Sequence, residues 1–185
     1  MWKRQTWRPV YLKPEFVEAA FNRFGKRVIS RAKANLTRDK RRISDALYKS
    51  LTYDVKVSQR GSIEFTISMA EHGEYQDLGV RGVKGTKNKF TKRSPFKYKS
   101  KMPPVGKIDR WVVKKGIAPR DESGRFATRR GLSFAIAKNI FEFGIPQSLF
   151  FTKPFESAFA DLPDSIIEAY ALDVEKFLNS VIDGG

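Results

Sequence analysis

Residues 51–69, LTYDVKVSQRGSIEFTISM, decide the class of fold. Leu51, Tyr53, Val55 and Val57 alternate with Thr52, Asp54, Lys56 and Ser58, and after Gln59-Arg60-Gly61-Ser62 the alternation resumes in Ile63, Phe65, Ile67 and Met69. A period of two sends successive side chains to opposite faces of a strand, so each run describes a half-buried strand. A short glycine-containing break between two such runs predicts an antiparallel hairpin.

Upstream the period changes to that of a helix. Val17, Phe21, Phe24, Val28, Ala32 and Leu36 recur every three or four residues and form one apolar stripe from Pro14 to Leu36. Arg23, Lys26, Arg27, Arg31 and Lys33 lie on the other side. Pro14 is tolerated only in a first turn, which fixes the start. Gly25 costs about 1 kcal/mol against alanine in a helix interior, so it marks a kink or a close contact. A polar loop, Thr37 to Arg42, separates this helix from a short one that Ser44 can cap and that runs to Ser50.

Downstream of the hairpin, Glu71 to Gly82 is rich in glycine and acid and predicts a turn region. Arg81 to Lys101 shows almost no apolar periodicity and predicts a long basic loop or arm; a second basic loop covers 117–130. Helices are expected after Pro103, with Ile108, Trp111 and Val112 on one face and Gly116 as the stop, and over Leu132 to Phe143. Phe150-Phe151 precedes a helical turn at Pro154. Pro163 then opens a last helix whose stripe is Ile166/Ile167, Tyr170, Val174, Phe177/Leu178 and Val181. These elements predict an α+β fold: a long N-terminal helix on an antiparallel sheet, in a single domain spanning 1–185, long enough to bury a core without crosslinks.

The formal net charge is +16, unevenly spread. Residues 1–50 hold 14 basic and 4 acidic side chains, residues 51–80 come to −3, residues 81–130 hold 17 basic and 3 acidic, and the chain from Phe150 comes to −5. Such a field attracts nucleic acid or an acidic protein surface, although scattered lysines more often just solvate a protein. Cysteine is absent, which excludes disulfides, thiol catalysis and sulfur-ligated metals. No apolar run reaches the roughly 18–20 residues of a membrane helix. Met1 to Pro9 lacks the apolar core of a signal peptide, so a cytoplasmic origin and no membrane partner are expected.

Catalysis has little to work with. His72 is the single histidine and sits among acids, where a structural or solvated role is the plainer one. Glu71, Glu74 and Asp77 fall three apart and could hold a divalent metal for nuclease chemistry, but no second acidic cluster accompanies them, and a polar turn is favoured. Gly79, Gly82 and Gly85 lack the ending of a phosphate-binding loop. No catalytic residue, cofactor or metal is therefore expected.

The strongest feature outside the core is the basic loop. Lys84, Lys87, Lys89, Lys92, Arg93, Lys97, Lys99 and Lys101 can neutralise phosphates or meet a neighbouring subunit. Phe90, Phe96 and Tyr98 can stack on bases or anchor the arm in a neighbour. No base-reading motif accompanies them, so contact with DNA is expected to be with its backbone and indifferent to sequence.

In order along the chain, Ala32-Lys33-Ala34-Asn35-Leu36, Ser44-Asp45-Ala46-Leu47-Tyr48-Lys49-Ser50-Leu51, Tyr75-Gln76-Asp77-Leu78-Gly79, Met102-Pro103-Pro104, Lys115-Gly116-Ile117, Leu132-Ser133-Phe134-Ala135-Ile136-Ala137, Gly144-Ile145-Pro146 and Phe150-Phe151-Thr152-Lys153-Pro154-Phe155 resemble the tail-completion and head–tail connector proteins of tailed bacteriophages. The resemblance covers Phe16 to Phe159; Asp45 stands where the family usually has glycine. It implies a structural virion protein without an active site, assembled in the host cytoplasm into a homo-oligomeric ring at the neck, as tail terminator or completion protein. Its partners would be portal or adaptor proteins, the tail tube, and packaged double-stranded DNA through backbone contacts. A ring needs heterologous interfaces, for which the basic middle and acidic end offer complementary charge and spare phenylalanines, Phe150 and Phe151 among them, offer anchors. A sequence-independent nucleic-acid-binding protein is the alternative.

Overall fold

The computed structural model describes residues 12–39, 45–58, 60–85, 89–118, 120 and 128–183. In chain order it contains α1 (Glu15–Arg38), α2 (Asp45–Ser50), β1 (Thr52–Val57), β2 (Ile63–Ser68), α3 (His72–Leu78), a 3-10 helix (Lys89–Arg93), α4 (Val105–Lys114), α5 (Arg129–Phe143), α6 (Thr152–Phe159) and α7 (Leu162–Asp183). The fold is α+β, with a long first helix, a two-stranded antiparallel sheet and helices after it. Contacts gather the chain into two compact units. One holds the chain to Arg31, Thr52–Ser68 and the chain from Pro154; the other holds Ala32–Leu51 and Met69–Lys153.

The first unit is built on aromatic packing. β1 and β2 pair Tyr53 with Ile67, Val55 with Phe65 and Val57 with Ile63, so the alternating apolar residues share a face. Phe65 stacks on Phe21 at 5.5 Å between centroids and meets Phe24 edge-on at 5.3 Å; Phe24 also meets Phe155. The Tyr53 ring lies over Gly25, where a Cβ would come within 2.5 Å of it. Gly25 is thus a close contact: the helix gives up propensity so that a sheet residue can sit against its backbone.

Asp173 joins the last helix to the first. Its two carboxylate oxygens accept the Phe16 and Val17 backbone N–H groups at 3.0 Å each, and the residue is 1% exposed. Those N–H groups are orphan donors in the first turn of α1, so a carboxylate there supplies both a cap and a charge of favourable sign. Around it Val17, Ala20 and Ala169 form a small buried cluster with Phe21, Ile63 and Ile166.

α7 corrects the sequence expectation. The face turned inward carries Leu162, Ala169 and Asp173, with Ile166 and Phe177 partly covered beside it. Ile167, Tyr170, Leu178 and Val181, expected in one core stripe, are exposed. Ile and Leu at adjacent positions let two overlapping stripes be drawn, and the buried aspartate selects the other one.

The second unit has an apolar centre that includes Leu36, Leu47, Leu51, Val112, Ala137 and Phe150. The expected turn at 71–82 contains a helix instead. Gly73 in α3 lies so close to Leu47 and Met69 that a Cβ would approach each to 2.8 Å, so packing secures a helix that local composition argues against. The described part of the basic loop or arm at 81–101 is tied to the rest of its unit. Val80 bridges Ile145, Arg81 bridges Lys97, and a 3-10 helix occupies Lys89–Arg93.

Candidate functional site

Asp77 organises the second unit from a position that the sequence offered as one corner of a metal site. Its side chain is 3% exposed and accepts the Phe151 N–H at 2.8 Å, the Thr152 N–H at 3.3 Å and the Thr152 hydroxyl. Its carbonyl accepts the Ser148 and Leu149 N–H groups, and the Ser148 hydroxyl donates to the Gln76 carbonyl. The carboxylate therefore caps the first residues of α6. Glu71 and Glu74 are exposed, and among the described residues no group of three or more His, Cys, Asp or Glu side chains is arranged to hold a metal ion. His72 is exposed.

The basic segment is laid across this framework by polar stitches. Thr91 is fully buried, and its hydroxyl accepts the Gln147 N–H at 3.3 Å. The buried Ser94 hydroxyl donates to the Gly79 carbonyl at 2.7 Å. The Arg81 N–H donates to the Phe96 carbonyl, and Tyr98 N–H donates back to the Arg81 carbonyl, each at 2.9 Å. Phe96 and Tyr98 are half-buried: Phe96 meets Tyr75 edge-on at 4.5 Å and Tyr98 meets Phe141 at 6.1 Å. Burial raises the Tyr98 pKa above its ordinary 10.0.

Outward from those anchors point Lys92, Arg93, Lys97, Lys99 and Lys101, all exposed. Phe96-Lys97-Tyr98-Lys99 thus alternates in and out, a four-residue strand-like pattern masked in the sequence by the surrounding lysines. Lys84 is occupied differently: it pairs with Glu142 at 2.9 Å and holds that carboxyl below its ordinary 4.5. Lys87 lies outside the described residues, as do the side chains of Lys89 and Phe90. The second basic loop is described only at 117, 118, 120 and 128–130.

The proposed anchors divide. Phe96 and Tyr98 pack within their own unit, so any base or neighbour reaches only their partly open edges. Phe150 is 1% exposed and belongs to the core, leaving it no surface to offer a partner. Phe151 is half-buried, with its N–H held by Asp77.

Beside this framework, α3, α4 and α5 enclose an open groove of about 750 Å³. Tyr75, Ile108, Trp111, Ile136, Ile140 and Ile145 supply its apolar lining, and Lys107 and Lys115 stand at its α4 side. Among the described residues no helix is long and apolar enough to cross a membrane. Set against family models, curated proteins and solved structures, the chain matches none.

Proposed function

We propose that this chain is a structural component of a tailed-bacteriophage neck, forming a ring that joins the DNA-filled head to the tail as terminator or completion protein. The observation that carries the proposal is the contrast between buried and exposed polar groups in the second unit. Asp77, Thr91 and Ser94 are consumed in fixing backbone, while Lys92, Arg93, Lys97, Lys99 and Lys101 are held outward on a pinned segment. That arrangement suits attachment to an anionic surface and offers no convergent set of reactive groups. The ordered segments from Phe16 to Phe159 that resemble neck proteins give the attachment its setting. Electron microscopy of virions tests it: the subunit should occupy the head–tail junction, and its loss should leave filled heads and tails unjoined. Complete particles lacking the chain would sink the proposal.

The same outward lysines favour a second function, sequence-independent binding of nucleic acid by the free chain. Its affinity for duplex DNA would fall linearly with the logarithm of salt concentration, with a slope that loses about 0.9 for each phosphate-contacting lysine removed. Replacing Lys97, Lys99 and Lys101 with alanine should then flatten the slope by about 2.7.

A further inference from the structure

The outer face of α7 is apolar along its length. Ile167, Tyr170, Leu178 and Val181 are 67%, 55%, 53% and 54% exposed, and Ile182 is 74% exposed. With half-buried Val174 they recur at three- and four-residue steps, so they form one continuous stripe opposite the face that holds Ala169 and Asp173. Isolated surface leucines need no explanation, but a stripe of this length marks an interaction surface. Along one edge of it stand Asp164, Glu168 and Glu175, all exposed.

Those acids decide what can cover the stripe. A second α7 would bring acid against acid, which costs energy at a desolvated contact. A surface of opposite charge with an apolar centre is required, and the chain carries one: the groove lined by Ile108, Trp111, Ile136 and Ile145, with Lys107 and Lys115 at its α4 side and its lining carboxylate, Asp39, paired with Arg38. Lys107 lines the groove and is exposed; Lys114, outside that lining but also exposed, is seven residues on and so lies on the same side of α4 as Lys107. Glu168 and Glu175 are seven residues apart on α7. At 1.5 Å rise per residue both pairs are spaced by about 10.5 Å, so the two rows match in separation as well as in sign.

We infer that the outer stripe of α7 docks into the α4–α5 groove of a second copy of this chain, with Glu168 and Glu175 facing Lys107 and Lys114. The contact is a helix laid in an apolar groove, with the charge rows fixing its direction. It is heterologous, because the patch given differs from the patch received; repeated, it closes into a ring or extends into a filament. This deepens the proposed neck role by assigning the contact between subunits, and it rests on that reading only for its biological setting.

The absence of cysteine makes a direct test clean. Two preparations are mixed, one carrying Leu178→Cys and the other Ile136→Cys, and treated with a short bis-maleimide. The docking predicts crosslinked dimers containing one chain of each kind. Crosslinking confined to Leu178→Cys with itself would mean paired α7 helices and would overturn the inference. So would crosslinking only within a chain that carries both cysteines, or no crosslink at any concentration. Charge exchange gives a second readout by sedimentation velocity. Glu168→Lys/Glu175→Lys should weaken association at least tenfold, Lys107→Glu/Lys114→Glu should do the same, and a mixture of the two should recover it. All four residues are exposed, so circular dichroism should stay unchanged. A chain that associates in this way but is missing from virions sinks the neck role alone; a chain seen in the neck with α7 turned away from its neighbours sinks this contact alone.

Discussion

Asp173 in the first unit and Asp77 in the second are both buried, and each uses its carboxylate to cap the start of a helix far away in sequence. Their surroundings differ. Asp173 sits among Val17, Ala20, Ala169 and partly buried apolar side chains, in a unit that is also held by the ring cluster on Phe65. Asp77 sits in backbone: its own carbonyl, the Gln76 carbonyl and the Val80–Ile145 bridge are all engaged within a few residues of it. Ring packing is close but sets no single direction of approach, whereas a hydrogen bond fixes both distance and angle. The second unit relies more on directional backbone bonds, and it is the one that carries Lys92, Arg93, Lys97, Lys99 and Lys101 on its outer side.

Four substitutions would break or sharpen this contrast. The largest effect is expected at Gly144, whose φ is +80° and where a Cβ would overlap the Val80 carbonyl. Gly144→Ala should cost about 4 kcal/mol or more, measured by urea denaturation. Asp77→Ala comes next, at about 3–4 kcal/mol, since it strands two N–H groups and a hydroxyl. Asp173→Ala strands two N–H groups and should cost about 2–3 kcal/mol. If Asp173→Ala proved the more damaging, the proposed difference between the units would be reversed. Gly25→Ala gains about 1 kcal/mol of helix propensity but must displace the Tyr53 ring, leaving a net loss of about 1–2 kcal/mol.

A smaller effect is set by pH. Lys84 depresses the Glu142 pKa, first through its hydrogen bond, so the folded state holds the carboxylate more firmly than the unfolded chain does. The resulting stability is present above the ordinary 4.5 and is lost as pH falls through the depressed value. Lys84→Met should therefore be slightly less stable than the parent at pH 7 and indistinguishable from it in strong acid, as read by thermal melts. A difference that persisted in acid would mean that Lys84 acts through packing.

Much of the fold was legible because period and punctuation agree. The hairpin at 51–69, the stripe of α1, and α4 and α5 with Gly116 and Gly144 after them each satisfy local rules. What escaped was decided at a distance. α3 exists because Leu47 and Met69 close over Gly73, and no rule about acids and glycines contains that contact. Asp77 resembles a metal ligand until Phe151 and Thr152, more than 70 residues later, take its oxygens. In α7 two apolar stripes overlap, and only the partner of Asp173 reveals which one turns inward. The lysine row on 97–99 was readable from Phe96-Lys97-Tyr98-Lys99 alone, had the alternation been weighed above the surrounding charge.

The cap on α1 has a consequence for biosynthesis. Phe16 and Val17 leave the ribosome early, but the carboxylate that receives their amides belongs to a residue 156 positions after Val17. At about 5–20 residues per second, that interval lasts roughly 8 to 30 s. Throughout it the nascent first helix keeps an open amino end, even after the hairpin that brings Phe65 onto Phe21 and Phe24 has been made.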